Sequence, residues 1–201
     1  MNSLFPTILH EFEVPTFKQI EKDLIKSVYE ERRKDSKGRS MTNVGGWQSR
    51  AWYYETETHV LGDFIQKEVV DYFEKNRIFK SGAAVQFLNW WININKKGDY
   101  NMKHVHPGST LSGVVYLQVP KGSGKIIFDS PHMFSNFNEY KSYSTEIVES
   151  FNLYSSIGYE TLPGHFLVFP SDILHGVEVN QSREDRISLS FNIGLPLGPE
   201  I

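Results

Sequence analysis

The chain contains no cysteine. Disulfides and thiolate-held metals are thereby excluded, and any metal must be bound by histidine, aspartate, glutamate or backbone oxygen. No stretch approaches the roughly 18 consecutive apolar residues of a membrane span, so no membrane partner is expected. Basic residues are not in excess. Lys and Arg number 21 against 24 Asp and Glu, a net charge of −3, which argues against bulk nucleic-acid binding. The opening residues "MNSLFPTILHEFEVP" lack a basic stretch followed by a long apolar one and do not read as a signal peptide. A cytoplasmic, intracellular setting is the expectation. Repeats and low-complexity tracts are missing as well. What remains is an ordinary globular composition, with 39% apolar and 22% charged residues in a chain of 201. That length fits one domain, 1–201, able to enclose a sizeable core.

The apolar pattern changes period along the chain. In "PTFKQIEKDLIKSVYEERRK", Phe17, Ile20, Leu24 and Val28 recur at helical spacing, and Thr16 with Gln19 fits a capping box. A second helix is expected across "HVLGDFIQKEVVDYFEKN", with a polar, Gly-rich loop between the two. From residue 83 the period is two. Trp90, Ile92 and Ile94 alternate with Trp91, Asn93 and Asn95, and Ile187, Leu189, Phe191 and Ile193 alternate with Arg186, Ser188, Ser190 and Asn192. The expected architecture is α+β: residues 1–80 a mainly helical layer, 81–201 a β-sandwich or barrel. Residues 131–158 read as an irregular insertion or lid. The polar strand faces admit two readings. They look at solvent, or they line a barrel interior on which Asn93, Asn95, Tyr116, Arg186 and Ser188 converge.

The chemistry gathers around histidine. His104 and His106 stand two apart in "NMKHVHPGST". On an extended chain both point to one side, close enough to share an ion. Such a pair alone decides little. A third imidazole, His175 in "FPSDILHGVEVN", falls between two strand patterns, and Arg186 follows on the polar face of the last one. A metal with few protein ligands keeps open positions for substrate and oxygen, and a buried arginine nearby offers a bidentate anchor for a carboxylate or phosphate. His10, His59, His132 and His165 read as structural or solvent-facing. The basic run "ERRKDSKGR" reads as a solvated helix end, and "GSGK" lacks the full phosphate-loop pattern.

The phrases "SMTNVGGWQS", "WININKKGDYNMKHVHPGSTLSGVVYL", "FDSP", "PGHFLVFPSDILHGVEVN" and "RISLSFN" together span residues 40 to 193. In them the chain resembles the Fe(II)- and 2-oxoglutarate-dependent oxygenases, and within these a subgroup of small proteins found in phages and bacteria. The resemblance implies a double-stranded β-helix, a jelly-roll barrel like that of the cupins, with N-terminal packing helices. It implies His104 and His175 as iron ligands and Arg186 on the distal carboxylate of 2-oxoglutarate, assisted by Ser188. Tyr116 and Asn93 are further contacts to the cosubstrate. The implied reaction consumes O2 and 2-oxoglutarate, releases succinate and CO2 and hydroxylates a C–H bond of an unidentified substrate.

One position departs from the superfamily's usual H-x-D or H-x-E, because its acidic place is taken by His106. Three neutral imidazoles would leave iron with its full double positive charge. Either His106 is the third ligand or a carboxylate arrives from elsewhere, Asp129 in "IIFDSP" first and Asp172 second. Zinc would also accept such a set. The alternatives are a cupin-like three-histidine dioxygenase or isomerase that uses no 2-oxo acid, and a non-catalytic jelly-roll module for binding or structure. Substrate and oligomeric state are not legible.

Overall fold

The computed structural model describes residues 6–80, 84–131 and 142–195. Its elements in chain order are β1 His10–Glu13, α1 Phe17–Lys34, β2 Asn43–Val44, β3 Trp47–Gln48, β4 Trp52–Tyr53, α2 Val60–Lys75, β5 Gln86–Asn95 and β6 Tyr100–His104. There follow β7 Leu111–Gln118, β8 Ile126–Asp129, α3 Thr145–Phe151, β9 Ser156–Tyr159, β10 His165–Pro170, β11 His175–Val177 and β12 Arg186–Gly194. Among the described residues the strands form two antiparallel sheets. A larger one runs β1-β10-β7-β12-β5-β3 with β4 also on β5, and a smaller one runs β2-β6-β11-β8-β9. From β5 onward the chain passes back and forth between the sheets. This is the double-stranded β-helix.

The period-two pattern decides what lies on each side of the larger sheet. Ile187, Leu189, Phe191 and Ile193 of β12 join Trp90, Ile92 and Ile94 of β5 in a core with Phe17, Leu24 and Val28 of α1 and Leu61, Phe64, Ile65, Val69 and Phe73 of α2. Each such side chain removed from water contributes roughly 1.5–3 kcal/mol. The helices therefore cover the outer face, and the polar residues of the same strands are turned inward. A second, smaller core of Val114, Tyr116, Ile126, Phe128, Leu167, Phe169 and Ile173 lies between the sheets.

Several local expectations are corrected. Thr16 makes no side-chain cap to α1, so the capping box does not form. His59 instead caps α2, its Nδ1 accepting from the Leu61 N–H, while its Nε2 lies 3.3 Å from Glu31 of α1. The Gly-rich loop carries β2 and β3, which belong to different sheets, and Gly45 and Gly46 make the crossing with φ of 67° and 65°. Beside its two helices, the N-terminal part holds four short strands. Two-residue strands have no period to detect. The described part of 131–158 is not irregular throughout, since it holds α3 and β9. No helix among the described residues is long and apolar enough to cross a membrane.

Gly113 of β7 faces Phe191 directly across the ladder, and a methyl group there would lie within the Phe191 ring. Gly113→Ala should therefore destabilise the protein by about 1–3 kcal/mol, the usual cost of overpacking. Urea unfolding checks this; an unchanged midpoint would show that the ring moves aside freely.

Candidate active site

Between the sheets lies a cleft of about 480 Å³, counted out to its open mouth. His104, His106 and His175 line one wall, and Arg186, Ser188, Asn93 and Tyr116 the other. The register explains why they meet. On the smaller sheet His175 is directly opposite His104, so strand pairing alone puts the two imidazoles side by side. On the larger sheet Ser188 pairs with Asn93 on one side and with Tyr116 on the other, and Arg186 pairs with Asn95. His106 lies just beyond β6, in a loop fastened by its own N–H to the Ser171 carbonyl at 2.9 Å. His175 opens the short strand β11.

The ring nitrogens are sorted by their hydrogen bonds. Nδ1 of His104 lies 2.8 Å from the Met102 carbonyl, and Nδ1 of His175 lies 2.9 Å from that of Ile173. A carbonyl only accepts, so both Nδ1 atoms carry the proton, and both Nε2 atoms present lone pairs to the cleft. Nε2 of His106 is 3.3 Å from Nε2 of His175. Two nitrogens that each sit about 2.1 Å from one ion are separated by about 3 Å, so this spacing suits a shared cation. One ligand atom from each of the three lies within 4.8 Å of the others. Burial pushes the pKa of His104 below its ordinary value. Burial, then the neighbouring imidazoles, carries His106 down to about 3, and burial with the nearby His104 carries His175 down to about 4. All three are thus neutral at pH 7, the form a metal requires.

Arg186 is 1% exposed and has no carboxylate partner among the described residues. Its Nη2 donates to Oδ1 of Asn95 at 2.9 Å, Nη1 reaches the Ser123 carbonyl at 3.5 Å, and Nε has no acceptor. Burial lowers its pKa from the usual arginine range. A buried cation with a vacant donor calls for an anion. Asn93 donates from Nδ2 to Ser190, while its Oδ1 is also unpartnered.

The alternative donors lie elsewhere. Asp129 is ion-paired with Lys103 at 2.7 Å and is not part of the imidazole group. Strand alternation accounts for this, because Phe128, its neighbour, is the residue opposite His175 and packs between the sheets. Asp172 is exposed. His10 packs edge-on against Tyr72 and Phe73, and His165 lies 3.6 Å from Glu11, so neither reaches the cleft; His132 falls outside the described residues.

Two contributors escaped the sequence reading. Asn101 enters the cleft because a β-bulge separates the pairs His104–His175 and Asn101–Val177. Inserting one residue there puts 101 and 104 on the same side, which strict alternation forbids. Ser123, within the discarded "GSGK" turn, supplies a backbone carbonyl to Arg186. No sequence signal marks either. Trp91 stands beside the imidazoles, its ring centroid 5.5 Å from that of His106.

Comparison with known proteins agrees with this geometry. The chain has the fold of a prolyl-4-hydroxylase from Pseudomonas putida (14% identity, 93% of this chain and 92% of that one, TM-score 0.57). It shares it with the viral collagen prolyl hydroxylase of Paramecium Bursaria Chlorella virus-1, solved as a 2-oxoglutarate complex (14%, 92% and 94%, 0.55). A third structure of this fold is HygX of Streptomyces hygroscopicus with nickel, 2-oxoglutarate and hygromycin B bound (11%, 94% and 84%, 0.63). The comparison with curated proteins gave no match. Residues 89–192, more than half of the 201, match the sequence pattern of the 2OG-Fe(II) oxygenases, and they include all three imidazoles and Arg186. The chain therefore belongs to the 2OG-Fe(II) oxygenase family: it is a dioxygenase that works with iron and 2-oxoglutarate.

Proposed function

We propose that His104, His106 and His175 hold the iron, and that Arg186 receives the distal carboxylate of 2-oxoglutarate. On this reading the enzyme hydroxylates a C–H bond of its substrate. The observation that carries the reading is the uncompensated Arg186 guanidinium, which faces the same cleft as three neutral imidazoles. The donor set fits iron, since imidazole is a ligand that iron accepts, and the rings of His104 and His175 are already held in the tautomer that ligation needs.

When bound, iron supplies the redox centre at which O2 and the 2-oxo acid become succinate and CO2, with one oxygen atom inserted into the substrate C–H bond. The chain's own residues bind and orient. Arg186 offers a fixed charge to one end of the cosubstrate, and Ser188, Tyr116 and Asn93 surround its path through the cleft. Phe128, Val114 and Phe169 keep the neighbouring interior apolar and strengthen the charge contacts. His106 stands in the place of the usual acid. We read 1–201 as one domain around this centre.

The imidazole pKa values set a pH dependence. In the metal-free protein His106 and His175 are pushed from 6.5 to about 3 and about 4, so below 6.5 the unfolded chain takes up protons that the native one does not. Their contribution to stability is therefore lost as pH falls from 6.5 towards about 4 for His175 and about 3 for His106. The Tm of chelator-treated protein should drop across this window, and His106→Gln, which removes one such group, should make the drop shallower. An identical slope in the variant would contradict the assignment of a buried neutral His106.

The function itself is tested by adding oxygen to an anaerobic mixture of protein, Fe(II) and 2-oxoglutarate and assaying succinate. Succinate is expected from the native chain. Arg186→Ala should raise the dissociation constant for 2-oxoglutarate by about tenfold to a hundredfold, the worth of a charge-assisted pair, and leave Fe(II) affinity within about threefold. Unchanged 2-oxoglutarate affinity would remove Arg186 from the role given to it.

A further inference from the structure

A buried guanidinium is usually neutralised by a carboxylate at its side. Arg186 is held by two uncharged oxygens, the amide Oδ1 of Asn95 and the carbonyl of Ser123. Asn95 is as buried as Arg186, at 1% exposure. Arginine only donates, so the amide oxygen of Asn95 must face it and the amide nitrogen must point away. That nitrogen is engaged as well, donating to Oδ1 of Asn101 at 3.2 Å. The Asn95 backbone is pinned in turn, its carbonyl accepting from Nδ2 of Asn180 at 2.9 Å. Asn180 also organises the turn before Arg186, donating to the Glu184 carbonyl and accepting from the Ser182 N–H. The amide has one orientation, fixed at its oxygen by Arg186 and at its nitrogen by Asn101.

An aspartate would fill the same space with the same reach. It would also form an internal ion pair with Arg186. Among the described residues lining the cleft there is no acidic side chain, so position 95 decides whether the guanidinium charge is spent within the protein or left for a ligand. We propose that Asn95 is a specificity-determining residue: its neutral amide holds Arg186 in place while leaving the charge uncompensated, and the site thereby selects a 2-oxo acid that carries a second carboxylate. This rests on the assignment of Arg186 to the distal carboxylate.

The test is calorimetric titration of the full chain loaded with Mn(II), using 2-oxoglutarate and, separately, pyruvate, which has the same 2-oxo acid head and no second carboxylate. Asn95→Asp should raise the dissociation constant for 2-oxoglutarate by about tenfold to a hundredfold and leave that for pyruvate within about threefold. A residue with a merely structural role would weaken both acids together. Asn95→Ser is too short to reach Arg186 and adds no charge, so it should weaken 2-oxoglutarate more than pyruvate but by less than Arg186→Ala does. It serves as the decisive variant if the aspartate form does not fold. Native-like binding of 2-oxoglutarate by Asn95→Asp overturns the proposal, as does an equal loss of both acids, or a loss in Asn95→Ser as large as that in Arg186→Ala. Arg186→Ala measured alongside separates the two layers. If it leaves 2-oxoglutarate binding intact, the anchor assignment fails and takes this proposal with it; if it weakens binding while Asn95→Asp does not, only the role of Asn95 is lost.

Discussion

The positive charge of Arg186 is sealed inside the protein, and among the described residues no negative charge is placed to meet it. Such an arrangement costs stability, and it persists only where the surrounding structure holds it firmly or a ligand completes it. Here the holding is done by amides and a backbone carbonyl, which orient the guanidinium and leave its charge unanswered. The cleft lies beside it, and on the proposed reading the imidazoles on the opposite wall would give a dianionic 2-oxo acid a second point of attachment through a metal.

The fold delivers both walls through simple alternation. The strands β5 and β12 of the larger sheet present apolar residues to α1 and α2 and polar residues to the cleft, so helix packing and site construction are two faces of one pattern. The smaller sheet contributes His104 and His175 through direct cross-strand pairing at β6 and β11, and His106 follows in the loop beyond β6. The bulge in β6 then lets Asn101 join from the same strand and ties the imidazole wall to the arginine wall through Asn95. A buried amide relay of this kind has little slack, because each member has spent the donor or acceptor that faces the next.

Much of this was readable in the residues. Strict alternation in "WININ" and "RISLSFN" marks the inner strands, and the H-x-H spacing with the later His175 and Arg186 marks residues that meet at one cleft. Which strand face looks inward was open, because alternation is symmetrical until the helices are known to cover one side. That Asp129 stays outside the imidazole group was not legible, because it follows from the pairing of β8 with β11, which turns Phe128 inward and leaves Asp129 to Lys103. Asn101 was invisible because a bulge breaks the period on which the reading rests. The role of His59 as a helix cap was hidden by a side chain that seldom serves there.

The most direct measurement is a crystal structure of the chain grown anaerobically with Fe(II) and 2-oxoglutarate, with iron located by anomalous scattering at its absorption edge. The account predicts one iron bonded to nitrogens of His104, His106 and His175, and the far carboxylate of the cosubstrate on Arg186. Iron bound without His106, or a cosubstrate whose far carboxylate lies away from Arg186, would contradict it.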